Sequence, residues 1–244
     1  MNYAIILAAG VGQRMRNGGM PKQFLKLLGK PIIIYTLEKF EQNEEIDNII
    51  VVCHGSYIDY MSNLIKVYQI TKATHVIVGG NDRQSSLQLG LSVIDVNGGT
   101  AKDIVVIHDG VRPLVSETTI HENIRVAKEY VCAMTVHPVT ESVVITNKEK
   151  VGIGDFKKRA DTYSLTSPQT FSLGALQNAY KEVGINAENG VMPLLDAAMV
   201  FAQTGKEVHL VKEQSVNIKV TTPDDYYFLK TILELEETKY IFGL

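Results

Sequence analysis

Apolar residues along the chain fall into two alternating rhythms. Short, nearly continuous apolar runs occur at Ala4–Leu7, Ile49–Cys53, His75–Val78, Ile104–Ile107 and Ala133–Val136. Their length and β-branched content are those of strands covered on both faces. Between them, apolar residues recur at helical spacing over Ile32–Phe40, Ile58–Tyr68, Ser85–Ile94 and Thr118–Lys128, which predicts amphipathic helices. This alternation predicts an α/β fold built on a doubly wound, mostly parallel sheet. Ligands in such sheets lie beyond the carboxyl ends of the strands, so the informative loops follow Leu7, Val78 and Ile107.

The rhythm breaks between Pro138 and Thr166. Val143–Thr146, a turn at Asn147-Lys148, and Lys150–Ile153 read as a short hairpin. It either covers its own sheet or projects as an arm that pairs with a second subunit. Helical spacing returns over Leu173–Val183 and Leu194–Thr204, and short strands are expected at Val208–Val211 and Ile218–Val220. Pro223–Glu237 reads as a closing helix with Thr222 as its N-cap. No repeat, low-complexity tract or linker divides the chain, so residues 1–244 are expected to form a single domain with residues 138–166 as an arm.

The end of the first strand carries the strongest chemical signal. Leu7, Ala8 and Ala9 run into Gly10 and Gly12, then Arg14 and Arg16, then Pro21-Lys22. Glycines let backbone N–H groups approach phosphate oxygens, and the fixed cations can neutralise them, as a polyphosphate cradle requires. The plain alternative is an ordinary strand-to-helix turn with solvated cations. A P-loop is excluded because no Lys-Ser or Lys-Thr follows the glycines. The dinucleotide fingerprint needs a third glycine where the chain has Met15, which leaves nicotinamide binding a minor alternative.

Two further strand ends add to this. Gly79-Gly80-Asn81-Asp82-Arg83-Gln84-Ser85-Ser86 exposes backbone donors and short polar side chains able to read a base edge, or else forms a capped tight turn. His108-Asp109-Gly110-Val111-Arg112-Pro113 puts a carboxylate at the end of a buried strand. That arrangement suits Mg²⁺, which takes one or two carboxylates plus phosphate oxygens. An Asp109–Arg112 ion pair closing a turn is the alternative. His108 reads as a packed histidine, since no second histidine stands at metal-binding spacing. Lys219, within the apolar stretch Val216–Val220, is costly unless paired, and an anionic ligand is a fitting partner; the alternative is edge-strand alternation with a solvated tip.

Composition narrows the partners. A chain of 244 residues with 45% hydrophobic content can bury a sizeable core. The net charge of −3 and the lack of a polybasic run give no reason to expect nucleic acid or an anionic membrane surface. No apolar run is long enough to span a bilayer, and no secretory signal opens the chain, so a cytoplasmic protein is expected. Cys53 and Cys132 stand in apolar surroundings and read as core thiols.

Taken together, these segments resemble the polyol-phosphate cytidylyltransferases. That family comprises the methylerythritol phosphate cytidylyltransferases of isoprenoid synthesis and the ribitol-5-phosphate cytidylyltransferases of teichoic-acid and capsule synthesis. The resemblance runs from Tyr3 to about Leu233 and rests on six ordered motifs. These are Leu7 to Met15, Pro21 to Leu25, Gly79 to Ser86, His108 to Pro113, Ser167-Pro168-Gln169, and Asn217 to Thr221. It implies a Rossmann-like nucleotidyltransferase fold, CTP with Mg²⁺, a polyol-phosphate acceptor, and a homodimer through residues 138–166. Carried over by position, Leu7, Ala8, Ala9, Gly79, Gly80, Asn81, Arg83 and Ser86 hold the nucleoside side. Gly10, Gly12, Arg14 and Lys22 hold the triphosphate, and Asp109 lies by the metal. Asp109, Arg112, Ser142, Arg159 and Lys219 face the acceptor, with Arg14, Lys22 and Lys219 as catalytic cations.

The chemistry agrees with that assignment. A phosphate monoester has a second pKa of about 6 and is already largely a dianion at neutral pH, so it needs no general base. It needs neutralised repulsion, in-line placement, and stabilised charge on the α-phosphoryl group as pyrophosphate leaves. Several positions depart from the methylerythritol pattern. Glu141-Ser142 replaces Asp-Thr, Val111 replaces an alanine, Ser167 replaces a threonine, and Leu195-Asp196 replaces Thr-Asp. The last two changes touch acceptor-side segments and leave room for an unusual alditol phosphate. Val111 and Pro31–Phe40 resemble the ribitol branch, and Ala8-Ala9 and Ser86–Leu91 the methylerythritol branch. The balance leans slightly towards a ribitol-5-phosphate-like acceptor. Methylerythritol 4-phosphate and a catalytically silent nucleotide-binding homologue stand as alternatives.

Overall fold

The computed structural model describes residues 1–10, 20–147, 149–184 and 196–242. β1 (Asn2–Ala8) leads through a small hairpin, β2 (Lys26–Leu27) and β3 (Lys30–Pro31), into α1 (Ile32–Gln42). The alternation continues through β4 (Asn48–Cys53), α2 (Ile58–Val67), β5 (Ala73–Val78), α3 (Arg83–Val96), β6 (Ile104–Asp109), α4 (Glu117–Tyr130) and β7 (Cys132–Pro138). The arm is β8 (Val143–Thr146) and β9 (Ile153–Lys157), followed by β10 (Tyr163–Ser172) and α5 (Leu173–Val183). Beyond it come α6 (Ala197–Gln203), β11 (Leu210–Lys212) and α7 (Pro223–Phe242).

The central seven-stranded sheet has the order β11-β7-β10-β6-β1-β4-β5. Every neighbouring pair is parallel except those of β10, which runs antiparallel to both β6 and β7. The alternation of strand side chains divides the core. Ala4 and Ile6 of β1 join Ile49 and Val51 of β4 on the face covered by α1, α2 and α4. Tyr3 and Ile5 join Ile50 and Val52 on the face covered by α3, α5 and α6. Covering both faces is what requires the unbroken apolar runs. A third cluster, including Leu27, Ile32, Val111, Val220 and Leu229, anchors α7 against the β2–β3 hairpin.

Four expectations are corrected. β10 was not anticipated: Pro168 and the polar residues around it, from Thr166 to Thr170, interrupt the apolar pattern that marks a strand in the middle of a sheet. The strand takes up the proline, which cannot donate to a ladder, through a register shift between Leu165 and Gln169. The second arm strand begins at Ile153 and not at Lys150. Lys150 has φ +60°, and the Asn147 side chain accepts from the N–H groups of Val151 and Gly152 at 3.2 and 3.3 Å, so these residues form the turn. Ile218–Val220 is not a strand: Val220 donates a single bond to the Val111 carbonyl at 2.9 Å, within an irregular strap from Glu213 to Thr221. The penultimate helix begins at Ala197, and Leu194 and Leu195 lie outside the described residues.

The arm is exposed on every residue of β9. Cys53 and Cys132 are buried free thiols, and burial pushes the Cys53 thiol up to about 11. Among the described residues no helix is long and apolar enough to cross a membrane.

Candidate active site

The carboxyl ends of β1, β5 and β6 open into one cleft of about 600 Å³. At the end of β1, Leu7, Ala8, Ala9 and Gly10 form its floor. Gln23, in a 3-10 turn directly after Pro21, is buried and donates from Nε2 to the carbonyls of Ala8 and Gly10 at 2.6 and 3.0 Å. These bonds fix the entry to the glycine turn and carry the neighbouring Lys22 to the cleft wall. Gly12 and Arg14 lie outside the described residues.

At the end of β5, the Gly79 N–H donates to the Cys53 carbonyl at 2.8 Å. A methyl group at Gly79 would overlap the Ala9 side chain, so glycine is what lets the β1 and β5 turns meet. Gly79 therefore stands behind the cleft wall, while Gly80, Asn81 and Ser86 line it. The Ser86 hydroxyl accepts from the Gly80 N–H at 3.1 Å, and Asp82 caps α3 by accepting from the Ser85 N–H at 2.7 Å. The positive end of α3 thus faces the cleft.

At the end of β6, Asp109 gathers three cations. Its Oδ1 accepts from Arg83, and its Oδ2 accepts from Lys219 at 2.9 Å and from Arg112 at 3.3 Å. Burial alone would push the Asp109 carboxyl up. The Arg83, Lys219 and Arg112 charges overcome that and hold it well below the usual carboxylate range. Arg83 was expected to read the nucleotide. It does line the cleft, but its guanidinium spans Asp109 and the Asp196 carboxylate, the latter at 3.1 Å from Nε. Arg112 follows the alternative reading: it closes the turn onto Asp109, donates to the Asn217 carbonyl at 2.8 Å, and is not among the residues that line the cleft. Lys219 is only partly buried, 38% exposed, and its ammonium is paired with Asp109.

Ser167 and His108 lie 3.1 Å apart beside Asp109, the spacing of a nucleophile and its base. Their surroundings rule that role out. Both are fully enclosed, at 1% and 0% exposure, so no substrate atom reaches them. The Asp109 N–H donates to the Ser167 hydroxyl, which leaves its proton for His108 Nδ1. Nε2 then carries the imidazole proton and donates to the Arg112 carbonyl at 3.0 Å. Burial pushes the imidazole down to about 4, so it is a neutral brace for the 108–112 turn. Among the described residues no Ser–His pair opens into the cleft, and the Lys22, Arg83 and Lys219 side chains that line it suit it to a multiply charged anion.

No cluster of three or more metal-ligating side chains occurs among the described residues. Two carboxylates, Asp82 and Asp109, line the cleft, a number Mg²⁺ can use when phosphate oxygens complete its shell. Asp82, however, caps α3, and the Asp109 oxygens are taken by Arg83, Lys219 and Arg112. Ser142 and Arg159 are exposed on the arm, away from the cleft lining. Sequence reasoning overlooked Gln23, Thr221 and the Glu213–Asn217 network. Gln23, Asn217 and Thr221 stand inside the motifs Pro21 to Leu25 and Asn217 to Thr221 but were given no role, and nothing in the sequence marked Glu213.

Comparison with known proteins agrees with this geometry. A family model described as IspD, 2-C-methyl-D-erythritol 4-phosphate cytidylyltransferase, matches residues 2–235. A ribitol-5-phosphate cytidylyltransferase of Vibrio parahaemolyticus is 39% identical over 243 residues, covering 100% of both chains. One of Streptococcus agalactiae is 36% identical over 244 residues, again covering 100% of both. The crystal structure of a 4-diphosphocytidyl-2C-methyl-D-erythritol synthase from Anaerococcus prevotii shares the fold with a TM-score of 0.80, at 24% identity and 96% coverage of both chains.

Proposed function

The chain belongs to the 2-C-methyl-D-erythritol 4-phosphate cytidylyltransferase family, and from that premise we propose that it transfers CMP from CTP to ribitol 5-phosphate, giving CDP-ribitol and pyrophosphate. The observation that carries the choice of acceptor is the end-to-end likeness to two relatives bearing that activity in their names. The family model and the structural neighbour bear the name of the methylerythritol branch, which makes methylerythritol 4-phosphate the competing acceptor.

In this reading the nucleoside occupies the wall made by Ala8, Ala9, Gly80, Asn81 and Ser86. Its triphosphate lies along Gly10 and Lys22, and Gly12 and Arg14, outside the described residues, keep the triphosphate role that the family resemblance gives them. Asp109 holds Mg²⁺, which supplies charge neutralisation on the triphosphate when bound. The acceptor phosphate is received by Arg112 and Lys219, whose bonds to Asp109 and to the Asn217 carbonyl pre-orient them. Attack by the acceptor oxygen on the α-phosphorus breaks the bond to pyrophosphate, and Lys22 and Lys219 stabilise the charge that develops. Ser142 and Arg159 reach the site from the partner subunit's arm in a homodimer. Their absence from the lining of their own cleft and the exposed apolar side chains of the arm support that arrangement.

The test is an acceptor screen. The purified protein is given CTP, Mg²⁺ and, separately, the phosphates of ribitol, methylerythritol, erythritol and glycerol, and pyrophosphate is followed. Release with ribitol 5-phosphate at the highest kcat/KM is expected. Preference for methylerythritol 4-phosphate transfers the assignment to that branch, and release with none overturns the polyol-phosphate reading.

A further inference from the structure

We propose that Glu213 is a positioning residue for the transfer reaction, acting through Asn217 on Arg112 and Lys219. The proposal rests on the reading of those two cations as phosphate-facing.

The strap from Glu213 to Thr221 has no ladder to hold it, yet it delivers Lys219 to within 2.9 Å of Asp109. Ordering an irregular segment is entropically unfavourable unless specific bonds fix it. Glu213 supplies them at the strap's start. It is buried at 6% exposure, and its N–H donates to the Val136 carbonyl at 2.9 Å. Its Oε1 accepts from the Thr119 hydroxyl at 2.6 Å and from the Ser215 hydroxyl and N–H at 2.8 and 3.2 Å. Its Oε2 accepts from Asn217 Nδ2 at 3.0 Å. No ion pair to Glu213 occurs among the described residues. A buried carboxylate held only by neutral donors is costly, and such a group survives where its acceptor-only character is needed.

That character orients Asn217. The same Nδ2 also donates to the Ser167 carbonyl at 2.7 Å, so both amide protons are committed. The Asn217 main-chain carbonyl then accepts from Arg112 Nη1 at 2.8 Å, and Lys219 follows two residues on. Glutamine has the size of glutamate but must present an NH₂ on one side. With its oxygen towards Thr119 and Ser215, the NH₂ would oppose the Asn217 amide, donor against donor. Turning the Asn217 amide over would not relieve this, because the Ser167 carbonyl also needs a donor there.

The experiment compares Glu213→Gln with Thr119→Val. The second removes a donor from Oε1 and loosens the same region without touching Asn217. For Glu213→Gln, kcat should fall and the acceptor KM should rise, each about tenfold, while the Kd for CTP measured calorimetrically stays within about twofold. Thr119→Val should lower the melting midpoint and leave the acceptor KM unchanged. Equal kinetic losses in both variants, a parallel loss of CTP affinity, or no change in Glu213→Gln overturns the proposal. If the wild-type protein turns over none of the polyol phosphates, the functional reading fails and the strap is read on the free protein. Glu213→Gln should then speed hydrogen exchange at the Ser215 and Val220 amides about tenfold relative to β1 and β4. Unchanged exchange overturns the proposal in that case as well.

Discussion

In the cleft, Asp109 is 5% exposed and meets three cationic side chains. On the arm, Phe156, Ile153 and Val151 stand 67%, 58% and 86% exposed, and β9 pairs only with β8. The two regions belong to one proposed site, but they satisfy their groups in opposite ways. The cleft is closed by its own chain, with carboxylates, cations and main-chain carbonyls already paired before any ligand arrives. The arm carries apolar surface of the sort that a second protein surface covers. Residues of the cleft can therefore be judged one at a time, whereas residues of the arm can be judged only with a partner present.

The largest effect expected from this contrast is at Lys219. Replacing Lys219→Ala should lower kcat/KM by about 10²–10³-fold, the range for losing one preorganised charge donor to a transition state. The melting midpoint should barely move, since the side chain is 38% exposed and Asp109 keeps Arg83 and Arg112. Steady-state kinetics and a thermal scan on the same preparation check both halves. A loss of folding equal to the loss of rate would mean that the cleft is less self-sufficient than its bonding implies.

A second effect concerns the depth of the cleft floor. The imidazole of His108 is held at about 4, below its ordinary 6.5, because burial disfavours the cation. The unfolded chain therefore takes up a proton first as pH falls. The imidazole's contribution to stability should be complete above about pH 6.5, decline between pH 6.5 and pH 4, and level off below. The difference corresponds to about 3 kcal/mol. Urea unfolding followed by circular dichroism at pH 7 and pH 4, on wild type and on His108→Asn, checks it. A wild type that loses no more stability than the variant would place water at the cleft floor. The Asp109 carboxylate, held below its ordinary 3.8, adds a small loss of the same sign at the foot of this window, where the unfolded chain begins to take up that proton. Most of its loss falls below pH 4.

The same contrast explains which parts were legible in the sequence. The runs ending at Leu7 and Ile107 announced the strand ends because strands buried on both faces demand unbroken apolar residues. The run ending at Val78 was as legible although β5 is an edge strand with only partly buried or exposed residues. The residues expected after them, including Ala8, Gly80, Ser86 and Asp109, do line one cleft. β10 was illegible because a strand in the middle of the sheet carries Pro168 and the polar pair Ser167 and Gln169, all within a register shift. The bonds that set the cations were illegible for another reason. Gln23 to Ala8, Glu213 to Thr119 and Asn217 to Ser167 join residues far apart in the chain, and no local periodicity records them. The role of Arg83 was half visible: its place on the β5 loop was predicted, but its pairing with Asp109 and Asp196 is tertiary.

The smallest expected effect gives the sharpest test of the arm. Arg159→Ala should lower kcat/KM by about tenfold or more, in keeping with the loss of one phosphate-facing cation from a partly exposed position. The loss alone does not say whose site Arg159 serves. Mixing does. If arms are exchanged in a symmetric dimer, a hybrid of an Arg159→Ala chain and a Lys219→Ala chain has one site defective twice and one site fully intact. Equal amounts, unfolded and refolded together, should pair at random and return about a quarter of the wild-type sites. If the arm serves its own cleft, every site in the mixture keeps one defect and no activity returns. The two arrangements thus differ in the activity of a mixture whose components are each impaired, which no change in the folding of either variant alone can imitate.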